Sequence, residues 1–129
     1  MTDNERRIEE AYNILNKLEL EETHEADKRI WCLFYTGMSY QESEELRADG
    51  RLTGATPYYT SSLSMIKVIR GPDWWYDLHV SGTGLADCTM GYFNEGEPLQ
   101  VTSGSQPSEE RAVLVATIKL HILIWRGNE

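Results

Sequence analysis

The sequence lacks any apolar run of the ~20 residues that a membrane-spanning helix requires. Its first ten residues, 1–10, are polar and acidic, unlike a secretory signal peptide or a transit peptide. We therefore predict a cytoplasmic protein without membrane contact. At 129 residues the chain is long enough for one domain with a real core and too short for two.

Cysteine is scarce, and metal-binding spacings are absent. Cys32 and Cys88 lie far apart in apolar settings, which is typical of separate buried thiols rather than of a disulfide or a metal pair. The three histidines and two cysteines form neither a C-x-x-C nor an H-x-x-x-H spacing. Glu42, Glu44 and Glu45 are interpreted as plain surface. We predict no metal site and no cofactor.

Positively charged residues are also few. The 12 Lys and Arg residues face 21 Asp and Glu residues, which gives a net charge of −9. This balance argues against direct binding to nucleic acid, because a phosphate backbone requires clustered cations. It is compatible with solubility alone, with binding to a basic protein, or with imitation of nucleic acid.

No set of catalytic residues emerges. His79-x-Ser81 is one half of what a two-histidine phosphoesterase uses, and the second half is missing. Asp77, His79 and Ser81 would lie along one strand face, about 7 Å apart per step, and so would not converge into a triad. The glycines of 82–84 join two strands, whereas a phosphate loop leads into a helix. We therefore predict that the protein is not an enzyme.

What the sequence does contain is a hairpin between Trp74 and Tyr92, marked by a period of two. Gly82 and Gly84 supply the positive φ angles of the reversal. Alternate residues form the predicted inner face, which packs on a preceding helix and on the last helix. That predicted core comprises Trp74, Tyr76, Leu78, Val80, Ala86, Cys88 and Met90 against Leu63, Ile66 and Ile69.

Helical patterns flank this hairpin. Residues 1–22 are predicted as an appended N-terminal helix, and residues 23–129 as a single α/β sandwich domain. Within that domain, one helix is predicted to run from Thr23 to Gly37 and another to begin at 60–62 and to end at Gly71-Pro72. The intervening 38–56 is interpreted as a loop with one helical turn at 41–47.

The C-terminal part completes the predicted fold. A third, short strand at Leu99 to Thr102 follows the turn-rich Asn94 to Pro98. Ala112 to Trp125 is apolar on most faces and is predicted as a central helix, with a strand at 121–125 as the alternative. These elements predict an α+β fold, a small layered sandwich with a short antiparallel sheet in the order α-α-α-β-β-(β)-α.

Four short motifs between about Ala26 and Ile122 carry a family resemblance. They are Asp27 to Ile30, Pro57 to Leu63, Trp74-Trp75, and Pro107-Ser108 through Arg111-Ala112. In order and spacing the chain resembles the phage ABA sandwich domain proteins, although it has Glu109 and Glu110 where relatives have small residues. The resemblance implies a layered α/β fold, a phage or prophage origin and residence in the cytoplasm of a bacterial host. It implies no activity.

The candidate ligand-binding residues are aromatic side chains and one histidine: Tyr58, Tyr59, Trp75 and His79. Trp75 lies on the strand face opposite Trp74. If helices cover both sheet faces it belongs to the core, the interpretation we favour; if one face is open it is an exposed aromatic that can stack a base or anchor a partner.

The resulting hypothesis is a non-enzymatic phage accessory protein that acts by binding and antagonises a host protein or defence system. The alternative is an oligomeric sponge for a small nucleotide-type ligand, with Lys67 and Arg70 as cations. A small hydrolase ranks third. We also expect a homo-oligomer, because the first helix offers a narrow apolar seam at Ile8, Tyr12 and Leu15. The opposing interpretation is that this helix folds back over the last one.

Overall fold

The computed structural model describes residues 2–94 and 96–127. Within them lie helices α1 (Asp3–Glu19), α2 (Thr23–Trp31), α3 (Tyr40–Ala48), α4 (Leu63–Ile69) and α5 (Glu109–Gly127), and strands β1 (Trp75–Val80), β2 (Ala86–Asn94) and β3 (Glu97–Thr102). A π-helical turn (Cys32–Thr36) continues α2, and a 3-10 turn (Tyr59–Ser61) precedes α4. The fold is α+β, with helices packed on a short antiparallel sheet in the predicted order. Of the predicted turn at Asn94 to Pro98, Glu95 lies outside the described residues.

Hydroxyl groups cap the starts of α1 and α4. Thr2 caps α1 by accepting a hydrogen bond from the N–H of Glu5 at 3.1 Å, as the capping-box spacing predicts. Ser62 does the same for α4.

The predicted loop at 38–56 was wrong in part. Ser39 accepts a hydrogen bond from the N–H of Glu42 at 3.1 Å and so begins the nine-residue helix α3. α3 is held to α2 by an ion pair of Lys28 with Glu44 at 3.3 Å and by the guanidinium of Arg29, 4.1 Å from the centre of the Tyr40 ring.

The sheet has the order β1-β2-β3 with β2 in the middle. Leu78 pairs with Cys88 and Met90 pairs with Val101, so these residues share one face. That face packs on α5, whereas residues of the opposite face are exposed or half-buried, apart from Gly91, which is buried. We call the latter the open face; it carries Trp75, Asp77, His79, Asp87, Thr89, Gly91, Phe93, Pro98 and Gln100.

α5 is the centre of the core, as its apolar surface predicts. Its residues 111–118 are all buried, together with Leu120 and Ile122. It stays helical through 121–125, so the alternative of a terminal strand does not hold. A helix apolar on most faces needs partners on several sides, and here it contacts the sheet, α4 and α1.

The prediction that residues 1–22 form an appended helix does not agree with the packing of their described part, 2–22. Ala11, Ile14 and Leu18 of α1 are buried in the same core as α5. The buried guanidinium of Arg111 donates to the Leu18 carbonyl at 3.1 Å and to Glu21 just beyond α1. α1 folds back over the last helix; of the predicted seam, Ile8 and Leu15 pack partly against this core, whereas Tyr12 stays 44% exposed.

Part of the predicted inner face was wrong. Tyr76 and Val80 share the face of Leu78, yet they remain 39% and 51% exposed, and Leu63 is exposed as well. The reason is that β1 is an edge strand, while α5 lies mainly over the central strand β2. Ala86, Cys88 and Met90 of β2 are fully buried, as predicted.

Candidate functional site

The open face has an apolar end and a polar end. At the apolar end, Trp75 is 41% exposed and Phe93 is 68% exposed. Phe93 pairs with Pro98 on the neighbouring strand. At the polar end, His79 pairs with Asp87. Large exposed aromatic side chains on a sheet face are typical of a contact surface, since they bury much apolar area on binding.

Trp75 is held in place by the glycine opposite it. Its register partner on β2 is Gly91, and a methyl group there would lie 2.7 Å from Cζ2 of the indole. The ring therefore rests directly on the backbone of β2. An aromatic side chain fixed in this way loses little conformational entropy when it binds a partner, which makes it a suitable anchor.

The electrostatic character of the open face is acidic. The three strands contain no Lys and no Arg, whereas Asp77 and Asp87 both lie on this face. Asp87 is fixed by hydroxyl groups: its Oδ1 accepts hydrogen bonds from Thr102 at 2.9 Å and from Ser103 at 3.3 Å. A face with aromatic side chains at one end and carboxylates along it suits a partner with apolar and cationic groups.

The structure brings together only half of the predicted ligand-binding residues. Trp75 and His79 share the open face, so the expectation of a buried Trp75 was wrong: no described helix covers this face. Tyr59 is 2% exposed and belongs to the core between α2, α4 and α5, on the other side of the sheet. Tyr58, next to it in the chain, is exposed on that helical side.

Phe93 is the functional candidate that sequence reasoning missed. The alternation that places Met90 and Tyr92 on the inner face also places Phe93 on the opposite one. The strand period therefore contains the signal, but the predicted second strand ends at Tyr92.

A second concave site lies between α1 and the π-helical turn. It is a cleft of about 380 Å³ whose lining includes Arg6, Arg7, Glu10 and Cys32. Two of its charges are already paired: Arg6 contacts Asp3, and Glu10 accepts from Arg29 at 2.8 Å. Burial raises the pKa of the Cys32 thiol, so it is not activated as a nucleophile. This cleft is a weaker candidate than the open face.

Two further buried groups are also poorly suited to chemistry at neutral pH. Burial raises the pKa of the Cys88 thiol to about 11 and lowers the pKa of His121 to about 4. His121 Nε2 donates to the carbonyl of Ile69 at 2.7 Å, and its ring packs on Phe34 and Trp74 at centroid distances of 4.6 Å. His121 therefore acts as an aromatic core residue with one satisfied N–H group.

Among residues 2–94 and 96–127, no group of three or more His, Cys, Asp and Glu side chains is placed to hold a metal ion. The described helices also include none that is long and apolar enough to cross a membrane. Comparisons with protein-family models, with curated proteins and with solved structures gave no match. The resemblance to the phage ABA sandwich proteins therefore stays a prediction.

Proposed function

We propose that this protein acts by binding another protein through its open face and performs no catalysis. The observation that carries the proposal is the pair of exposed aromatic side chains, Trp75 and Phe93, on a sheet face that no described helix covers. Exposed aromatic anchors of this kind contribute a large share of the binding energy in protein interfaces.

The charge of the chain favours a basic partner. On the open face Asp77 is the next residue along β1 from Trp75, and Asp87 lies at the polar end, within a chain of net charge −9. Such a field accelerates encounter with a cationic surface and repels nucleic acid. Together with the resemblance to phage proteins, it supports an accessory protein made in the cytoplasm of a bacterial host, where it antagonises a host protein or defence system.

The nucleotide-sponge alternative has less support. Phosphate recognition requires cations beside an aromatic platform. Arg70 lies on the opposite side of the sheet from Trp75, with its guanidinium 4.9 Å from the centre of the Tyr76 ring. Lys67 is on α4, also on the helical side. The residues proposed for that ligand therefore do not converge.

The test is a capture experiment from bacterial lysate at low and at moderate salt. The bait is the wild-type chain or a variant with Trp75→Ala and Phe93→Ala. The matched control is Tyr58→Ala, which removes an equally exposed aromatic side chain from the helical side. We expect a basic protein that the wild type and the control retain and that the double variant loses.

Two results contradict the proposal. One is that no protein is enriched at either salt concentration. The other is that a partner is retained equally by the wild type and the double variant, because the contact then lies outside the open face.

A further inference from the structure

The two edges of the sheet differ in how they are protected. Ser103 donates its N–H to the carbonyl of Cys88 at 2.8 Å. Because bonding alternates along an antiparallel strand, Pro98, Gln100 and Thr102 point their backbone groups away from β2. Pro98 has no N–H to offer, and Lys119 Nζ donates to the outward carbonyl of Thr102 at 3.1 Å. The outer edge of β3 is therefore blocked by two of the devices that natural sheets use.

The edge of β1 has neither protection. Ser81 donates its N–H to the carbonyl of Leu85 at 2.8 Å. By the same alternation Asp77 and His79 bond to β2, and the backbone groups of Tyr76, Leu78 and Val80 point outward. β1 contains no Lys, Arg or Pro. Its edge is a template for another strand.

The side chains along this edge are incompletely covered on the helical side. Tyr76 and Val80 face the same way as the fully buried Cys88 and Met90 and yet remain exposed. Apolar side chains that face the core layer and yet stay uncovered are expected on an edge strand that lacks a neighbouring strand.

We infer that the missing neighbour is β1 of a second copy, paired antiparallel about a two-fold axis at Leu78. In this register Leu78 faces its own symmetry mate, and Tyr76 faces the partner's Val80. Both are pairs whose outward backbone groups exchange hydrogen bonds. The exposed apolar side chains then cover one another, and the two sheets become one.

A carboxylate–imidazole pair favours this register. On the open face, Asp77 of one copy lies opposite His79 of the other, and the two-fold axis makes this pair twice. It falls at a non-hydrogen-bonded position, where opposite side chains are closest. Because the β3 edge is blocked, pairing stops at a closed dimer and does not continue into a fibre. This inference is independent of what binds the open face.

The experiment is sedimentation velocity over a dilution series of the full chain, with circular dichroism to verify folding. We expect a mass near twice 14.8 kDa at the higher concentrations. His79→Asp places two carboxylates opposite each other at both symmetric positions, so the dissociation constant should rise about tenfold or more. Gln100→Asp is the matched control, because it adds the same charge to the open face on β3; it should leave the constant unchanged.

Two further variants distinguish weakened dimerisation from a folding defect. The double change Asp77→His with His79→Asp restores a carboxylate–imidazole pair across the axis and should recover most of the affinity. Val80→Pro removes an outward N–H without breaking a bond to β2 and should weaken the dimer at least as much as His79→Asp. A mass near 14.8 kDa up to millimolar concentration would overturn the inference. So would a dimer that His79→Asp and Val80→Pro leave intact, because the copies would then meet elsewhere.

Discussion

The buried carboxylate of Asp27 holds Thr60 by both its backbone and its side chain. Oδ1 accepts from the Thr60 N–H at 2.9 Å, and Oδ2 accepts from Thr60 Oγ1 at 3.1 Å. Burial raises the pKa of Asp27, and the hydrogen bonds from Thr60 oppose this by favouring the charged form. The contact fixes the turn Tyr59–Ser61 against α2 and so places Tyr59 in the core. Both residues belong to the motifs on which the family resemblance depends.

Removing the carboxylate should destabilise the fold. Asp27→Ala leaves the buried N–H of Thr60 without a partner, so we expect the free energy of unfolding in urea to fall by about 1–3 kcal/mol. Thr60→Val keeps that N–H bonded and removes only the hydroxyl, so its effect should be smaller, about 1 kcal/mol. Equal effects of the two changes would mean that the backbone hydrogen bond contributes little.

The sequence was sufficient for the elements with a strong period. The hairpin and α5 follow from alternation and from a helix apolar on most faces, and both lie where those patterns predict. The pattern of α1 was also clear, but its partner was not. A narrow apolar seam fits a second copy or another part of the same chain equally well, and only the position of Ile14 against α5 decides between them.

α1 should be essential for folding. Ile14→Ala removes a fully buried side chain and should lower the free energy of unfolding by about 2–5 kcal/mol. Leu20→Ala, at an exposed position just after α1, is the control and should change it by less than about 0.5 kcal/mol. A chain that starts at Thr23 also loses the partners of Arg111, and we expect it to be unfolded by circular dichroism. A cooperative melt of that truncated chain would restore the appendage interpretation.

Part of the candidate site could be predicted from the sequence, because alternation along a strand is visible there. Strand period determines which residues share a face, so Trp75 and His79 were placed together correctly. It does not determine which face a helix covers, and that decided the exposure of Trp75. Nor does it determine which strand is central, and that decided the exposure of Val80.

His121 should make stability depend on pH between about 6.5 and 4. Its pKa in the folded chain is about 4, below the ordinary 6.5, so protonation favours the unfolded chain. Above pH 6.5 the group has no effect. As the pH falls towards 4, the free energy of unfolding should decrease by about 3 kcal/mol.

The measurement is urea unfolding at several pH values in that window. His121→Phe keeps an aromatic ring in the cluster and should make the profile flatter. Below pH 4.5, the ordinary pKa of a glutamate, the free energy of unfolding decreases for a separate reason. Hydrogen bonds from Arg111 lower the pKa of Glu21 in the folded chain, so protonation of Glu21 also favours unfolding. The measurement is therefore confined to pH values from 4.5 to 6.5, over which the expected decrease is about 2.5 kcal/mol. A wild-type profile as flat as that of the variant would show that His121 is accessible to protons in the folded chain.

Gly91 should tolerate no side chain, although it sits in a strand, where most residues outcompete glycine. An added methyl group would lie 2.5 Å from the carbonyl oxygen of Leu99 and 2.7 Å from the Trp75 ring. The indole could swing away, but the carbonyl belongs to the backbone of β3 and cannot move without breaking the sheet. We therefore expect Gly91→Ala to lower the free energy of unfolding by about 1–3 kcal/mol.

Two comparisons separate the clash with the Leu99 carbonyl from the clash with the Trp75 ring. Of the two turn glycines only Gly84 has the predicted positive φ, so the prediction was wrong for Gly82. Gly82→Ala meets nothing within 4 Å and should change stability by less than about 0.5 kcal/mol. Combining Gly91→Ala with Trp75→Ala removes the ring but not the carbonyl. If the carbonyl dominates, the combined variant stays as unstable as the sum of the two single changes. If instead Trp75→Ala rescues Gly91→Ala, the ring is the obstacle, and the glycine exists to seat the aromatic anchor of the open face.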